Sequence, residues 1–223
     1  MKRGLFAQAL VKYFSGLALF LLLVFLPAGT FRYLQGWLLT GILFLPMFIA
    51  GLVMLKRDPE LLKRRLSAKE RESTQRFVIL FSGIMFLGAF IAAGLSYRFH
   101  FWMLPLPVSY IAAVFFLLAY ALYAEVLREN SYLSRTIEVQ EGQKVIDTGL
   151  YGIVRHPMYT ATVVLFLMMP LVLGSILSFL IMLFYLPIIV TRIFNEEKVL
   201  AAELDGYTDY MKRVKYRLIP YIW

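Results

Sequence analysis

The chain has 223 residues, 61% of them hydrophobic, with a formal net charge of +9, two histidines and no cysteine. Disulfides, cysteine zinc sites and thiol catalysis are excluded, and two histidines without an HExxH-like pair lead us to expect no metal site. No basic–aromatic module points to nucleic acid, so the positive charge reads as a membrane-orientation signal with attraction to anionic lipid headgroups.

About 20 apolar residues cross the hydrocarbon core of a bilayer as a helix. Tyr13–Phe31, Tyr33–Leu55, Phe77–Tyr97 and Phe99–Ala124 meet that requirement. The first follows Lys2 and Arg3 and has the outline of a signal peptide, but "LPAGT" is a poor cleavage site and the span is expected to be retained. Between the second and third spans, Asp58-Pro59 reads as an N-cap followed by proline at the first helical position. Leu62 and Leu66 then recur four apart among Lys and Arg, which predicts an amphipathic helix near 58–76 lying on the membrane interface in contact with lipid. After the fourth span, "TIEVQEGQKVID" alternates apolar and polar residues around Glu141-Gly142, a hairpin-like pattern.

Pro157–Thr191 carries no charged side chain over 35 residues. One straight helix of that length would measure roughly 50 Å against a core of about 30 Å. "MMPLVLGS" (Met168–Ser175) lies near its middle, and Pro170, Gly174 and Ser175 predict a turn there that folds the stretch into a helical hairpin. Charge agrees with this reading. Of the 23 basic residues, only Arg32 and Arg98 fall in alternate loops, so 21 share one side if the hairpin returns to the face it left. The positive-inside rule makes that side cytoplasmic and places both termini there. The expected fold is all-α: four spanning helices, a C-terminal helical hairpin and cytoplasmic segments. Residues 1–124 hold the spans and residues 125–223 hold most of the polar chemistry.

That chemistry flanks the hairpin. Before it stands "GLYGIVRHPMY", residues 149–159, with Pro157 at the first helical position and His156 at the cap. A histidine there is either a hydrogen-bonding cap or part of an anion site on the free N–H groups of the helix start. Arg155 adds charge, Gly149 and Gly152 permit close backbone approach, and Tyr151 and Tyr159 offer ring faces. After the hairpin, Arg192 and Glu196 are spaced i, i+4 on one helix face. They form either a snorkelling arginine with a local ion pair, or a guanidinium that grips an anion while a carboxylate orients it.

In combination, "GLYGIVRHPMY", the hairpin and "RIFNEE…L…GYTDYMKRVKYRLIP" resemble the isoprenylcysteine carboxyl methyltransferase family. The resemblance covers roughly residues 125–223, and residues 1–124 match only as generic spans. Related C-terminal blocks occur in phospholipid N-methyltransferases and in sterol and steroid reductases. The resemblance implies a membrane-embedded methyltransferase using S-adenosylmethionine, with the cofactor pocket between the hairpin and the C-terminal cytoplasmic segments. His156 and Tyr159, with Gly149, Tyr151, Val154 and Arg155 of the preceding loop, would line that pocket. Glu197 would support the cofactor, and Arg217 with Pro220 would close the tail over it. Arg192 and Glu196 would lie nearest the reacting groups. Gly152 is smaller than the polar or basic residue many relatives carry there. The implied acceptor is a lipophilic or prenylated small molecule reached from membrane lipid, most simply a carboxylate. A sterol-type reductase using NADPH and a non-enzymatic structural or transport protein are the alternative readings. The compact chain points to a prokaryotic inner membrane, or to the endoplasmic reticulum in a eukaryote, and oligomeric state is not specified.

Overall fold

The structure is a computed structural model describing residues 2–66, 73–133, 137 and 139–223. Among the described residues it is helical, with no strand beyond an isolated bridge between Met103 and Ser175. The long helices are α1 (Lys2–Ala28), α2 (Leu34–Arg57), α4 (Ser73–Phe99) and α5 (Leu106–Glu129). Between α2 and α4 lies the short α3 (Pro59–Leu66), and the C-terminal half holds α6 (Pro157–Val172), α7 (Ile176–Met182), α8 (Tyr185–Glu203) and α9 (Tyr207–Arg213). Among the described residues five stretches are long and apolar enough to cross a membrane: four lie within α1, α2, α4 and α5, and the fifth is Ile176–Glu203, formed by α7 and α8. Helix α6, at 16 residues, is shorter. Large apolar side chains such as Leu26, Phe31, Leu45 and Leu118 face outward, as expected of helices whose solvent is lipid.

The helices pack through small residues. A Cβ on Gly94 of α4 would come 2.5 Å from the Val24 carbonyl oxygen of α1, so only glycine permits this backbone approach. Ala112, Ala113, Phe116 and Ala119 of α5 are buried in the main core, together with Leu165, Met169 and Val172 of α6.

The break in the long apolar run falls at Gly174, not at Pro170, which stays inside α6. Gly174 takes φ +71°, the Ser175 N–H bonds to the Pro170 carbonyl and the Gly174 N–H to the Leu171 carbonyl, which is a Schellman end. Pro170 leaves the Phe166 carbonyl without its helical N–H donor, while its own carbonyl takes part in the helix end. Ser175 then caps α7, its side chain accepting from the Ser178 N–H at 3.1 Å. The tip is fastened from outside. Leu104 N–H donates to the Gly174 carbonyl, Ile176 N–H to the Trp102 carbonyl, and the Tyr33 hydroxyl to the Leu173 carbonyl at 2.5 Å. The two arms run antiparallel, which sets the first turn of α6 beside the later turns of α8.

At two places the structure adds detail to the local expectations. The predicted amphipathic helix near 58–76 is described only as far as Leu66, with residues 67–72 outside the described residues. Asp58 caps it, its Oδ1 accepting from the Leu61 N–H at 2.9 Å. Leu61 and Leu62 are buried against the bundle and do not face lipid. The helix is tied down by Lys12, which donates to the Leu66 carbonyl, and by Arg64, which donates to the Ser131 carbonyl at 2.6 Å. Both anchors lie in the last turn of the helix. The hairpin-like stretch forms its turn, with Gly142 at φ +70° and the Gln143 N–H bonded to the Gln140 carbonyl, but its described residues pair in no ladder. Residues 134–136 and 138 lie outside the described residues.

Candidate functional site

The polar residues around the hairpin converge where α6 begins. Glu197, on α8 and buried, is the hub. Its Oε1 accepts from Arg155 Nε at 2.7 Å and lies 3.2 Å from His156 Nε2, while Oε2 accepts from Arg217 Nε at 2.9 Å. Arg155 also donates from Nη1 to the Val214 and Lys215 carbonyls, at 2.7 and 3.0 Å. Backbone bonds reinforce the closure: Arg155 N–H to the Tyr216 carbonyl and His156 N–H to the Arg217 carbonyl, each at 2.9 Å. Thr160 Oγ1 adds a bond to the Leu218 carbonyl at 2.7 Å. The tail after α9 is thus clamped across the first turn of α6 by both main chain and charge. Charged groups buried here are tolerable because each has a partner.

One turn earlier on α8, Arg192 and Glu196 share the face expected from their spacing, with the Tyr159 hydroxyl of α6 between them. Arg192 Nε donates to that hydroxyl at 2.9 Å, and the hydroxyl donates to Glu196 Oε2. Accepting a charged donor polarises the phenol and strengthens its bond to the carboxylate. The Tyr159 ring stacks on His156 with centroids 5.6 Å apart.

These groups face a pocket whose empty space, counted out to its mouth, is about 810 Å³. Six of the predicted residues line it: Tyr151, Arg155, His156, Tyr159, Arg192 and Glu196. Gly149, Val154, Glu197 and Arg217 are not among its lining residues. Gly149 takes φ +55°, and a Cβ there would lie 1.9 Å from Glu129 Oε1, so the glycine makes room for that carboxylate. Glu129, at the end of α5, accepts from the Leu150 N–H at 2.9 Å and so fixes the single 3-10 turn Gly149–Gly152. His156 is indeed the residue before α6, but its side chain makes no cap bond. Its carbonyl accepts from the Tyr159 and Thr160 N–H groups and Pro157 has no N–H, so this helix start offers an anion few donors.

Sequence reasoning missed the opposite wall, formed by Asn130, the segment 143–146, and Tyr207 and Tyr210 of the tail. Asn130 Nδ2 donates to the Tyr151 hydroxyl at 3.1 Å, and the Tyr210 hydroxyl donates to the Tyr151 carbonyl at 2.8 Å. The two tail tyrosines stand three apart after Gly206, a spacing that places both on one helix face; that signal was available. Burial pushes the phenols of Tyr151, Tyr207 and Tyr210 above the usual tyrosine range, and the Glu196 carboxylate adds to the shift at Tyr151 and Tyr207. All three remain neutral hydroxyls at physiological pH.

Apolar helices of this length, with polar groups gathered around a pocket at one end, define an integral multi-pass membrane protein. Residues 110–202 match the isoprenylcysteine carboxyl methyltransferase (ICMT) family. The matched stretch runs from α5 through the loop and α6 into α8. The chain is also similar to the Delta(14)-sterol reductase TM7SF2 of Mus musculus, 31% identical over 91 residues. That alignment covers 40% of this chain and 22% of the reductase, so the chain spans only about a fifth of that relative's length.

Proposed function

We propose that the protein is a membrane methyltransferase that uses S-adenosylmethionine and methylates a lipidic or prenylated acceptor, most simply at a carboxylate. The observation that carries this reading is the Arg192–Tyr159–Glu196 arrangement on the wall of a pocket at the end of apolar helices. A water-soluble cofactor and a lipid-dissolved acceptor would meet at such a place. The charge distribution supports a cytoplasmic position for it.

The residues present fit the cofactor. Five tyrosines line the pocket, and the buried Tyr207 hydroxyl has no hydrogen-bond partner among the described residues. S-adenosylmethionine supplies, when bound, a methyl group on a positively charged sulfur. Glu196, held by the Tyr159 hydroxyl, puts negative charge on the pocket wall where a cation would be stabilised. Arg192, anchored through Nε, suits the role of orienting an anionic acceptor. A carboxylate acceptor needs no base, only alignment and exclusion of water. An amine acceptor must lose a proton, and Glu196 then becomes its acceptor. Glu197 binds through its neighbours: by engaging Arg155, His156 and Arg217 it fixes the loop and tail that wall the pocket.

The sterol-reductase similarity favours a second reading, reduction of a lipid by NADPH. Isothermal titration of the detergent-purified protein with S-adenosylhomocysteine and with NADPH separates the two. Heat on S-adenosylhomocysteine and none on NADPH is expected, and the reverse would replace the methyltransferase by the reductase. Incubation with methyl-labelled S-adenosylmethionine and a native lipid extract then identifies the acceptor.

A further inference from the structure

Residues 218–223 follow the part of the tail clamped across the start of α6. They carry no charged side chain, whereas Asp209, Lys212, Arg213 and Lys215 just before them are charged. Their backbone closes on itself. The Leu218 and Ile219 N–H groups donate to the Trp223 carbonyl at 2.8 and 3.0 Å, and the Ile222 and Trp223 N–H groups donate to the Ile219 carbonyl, each at 3.1 Å. Pro220 followed by Tyr221 at φ +65° makes this a type II turn, whose third position glycine or asparagine usually takes. A segment that spends these N–H groups internally meets the requirement that lipid imposes on a backbone.

The side chains carry the same message. Leu218 is buried in the cluster that joins Met85 of α4 to Ile189 and Ile193 of α8, and Trp223 packs against that cluster. Ile219, Tyr221 and Ile222 turn outward, at 49%, 88% and 77% exposure, with the Tyr216 ring 5.4 Å from that of Tyr221. A tyrosine held in a left-handed conformation and left in water is unfavourable twice, through its backbone and through its hydrated ring. Phe194 shows what surrounds the turn. It lies on α8 within Ile176–Glu203, the stretch apolar enough to cross a membrane, and it faces outward as Phe184 does. Its ring centroid is 6.1 Å from that of Trp223, so the exposed turn continues the lipid-facing surface of α8. Arg217 Cζ lies over both rings, 5.0 Å from Phe194 and 5.5 Å from Trp223, while its Nε reaches Glu197. Aromatic rings around an arginine whose head finds a polar partner are the pattern of a membrane–water boundary.

We propose that residues 218–223 are an interfacial anchor, whatever reaction the adjoining pocket performs. After α8 and α9 have carried the chain out of the membrane, the tail returns to it. Ile219, Tyr221 and Ile222 then lie in the boundary between lipid headgroups and acyl chains. The partner is the lipid surface itself: continuity with the outward face of α8 selects it over a second copy of the chain. Arg217 ties the anchor to the Glu197 hub.

The chain has no cysteine, so single cysteines can carry spin labels without further substitutions. Labels are placed at Ile222→Cys, at Leu118→Cys on the outward face of α5 and at Lys212→Cys on the exposed end of α9. The full chain is reconstituted into phosphatidylcholine vesicles. Collision rates with oxygen, which concentrates among acyl chains, and with a water-soluble nickel chelate then report depth. The oxygen-to-nickel ratio at 222 should exceed that at 212 several-fold and fall below that at 118. A ratio equal to that at 212 would put the turn in water and overturn the proposal. Exclusion of both reagents at 222, with dipolar broadening that disappears on dilution with unlabelled protein, would show a second copy covering the patch and would overturn it too. A label at Ile219→Cys guards against local distortion by the probe: it should give the same depth, and free nickel access there would sink the anchor even if 222 were protected.

Discussion

Replacing Glu197 by alanine should unfold the site before it touches the chemistry. Glu197 and Arg155 have side chains only 8% and 5% exposed, and Arg217 is 27% exposed, so solvent can do little to replace the lost carboxylate. Removing one partner of a buried pair costs about 3–5 kcal/mol, because the remaining charge is left without compensation. Here the loss falls chiefly on Arg155, which keeps only the Val214 and Lys215 carbonyls. The exposed pair of Lys212 with Asp209 is the contrast, and Asp209→Ala should leave stability unchanged. Unfolding in mixed detergent micelles followed by circular dichroism measures both. If the penalty comes from an orphaned guanidinium, Glu197→Ala combined with Arg155→Met should cost less than the sum of the two single changes. Strict additivity, or a Glu197→Ala cost below about 1 kcal/mol, would refute the hub assignment, since a surface pair alone is worth that much.

Arg192→Ala should abolish methyl transfer while S-adenosylhomocysteine titrates with affinity close to wild type; wild-type turnover on the true acceptor would refute its orienting role. Gly149→Ala should destabilise by about 1–2 kcal/mol from the left-handed backbone alone. The clash with Glu129 adds to this, whereas Gly41→Ala, with open space around it, should be neutral or slightly stabilising in the same melting assay. Because burial raises the phenols of Tyr151, Tyr207 and Tyr210, the neutral forms are favoured by folding. Their contribution is therefore complete below the ordinary tyrosine value of about 10 and declines as pH rises beyond it. Ultraviolet difference titrations of each Tyr→Phe variant against wild type should show no phenolate missing near pH 10 in the folded protein, and a missing phenolate there would contradict the burial.

The parts of this protein that sequence makes legible are those set by local rules. Span length, the break near Gly174 and the position of His156 before Pro157 all follow from neighbours within a turn or two. The same holds for Arg192 and Glu196, whose shared face is a matter of helical period. What local rules cannot supply is contact across the chain. Glu129 lies 21 residues before the Leu150 N–H that it engages, and nothing in its surroundings marks it. Gly149 looked like a place for a ligand because glycine permits close approach; the approaching group is a carboxylate of the protein itself. Helix α3 has the periodicity of a surface helix, and only the carbonyl anchors at Ser131 and Leu66 reveal that it is docked. An i, i+4 pair also hides what stands between its members: Tyr159 comes from another helix.

Docking of α3 alters what the first half of the chain does. By composition the early spans are featureless and read as generic spans. The structure gives them a share of the pocket. Arg65 of α3 donates to the Tyr123 hydroxyl of α5 and lies 3.9 Å from the sulfur of Met158, which lines the pocket. Arg64 holds the carbonyl of Ser131, whose neighbours Asn130 and Tyr132 line it as well. Helix α3 is in turn set by α1 through Lys12, and α1 by α4 through the close approach at Gly94. A displacement anywhere along that series would reach the pocket wall through packed backbone and charge-assisted bonds, both stiffer than a lipid contact. The wall facing Arg192 is therefore set by the first half of the chain, and the hydrophobic spans fix the shape into which the polar residues project.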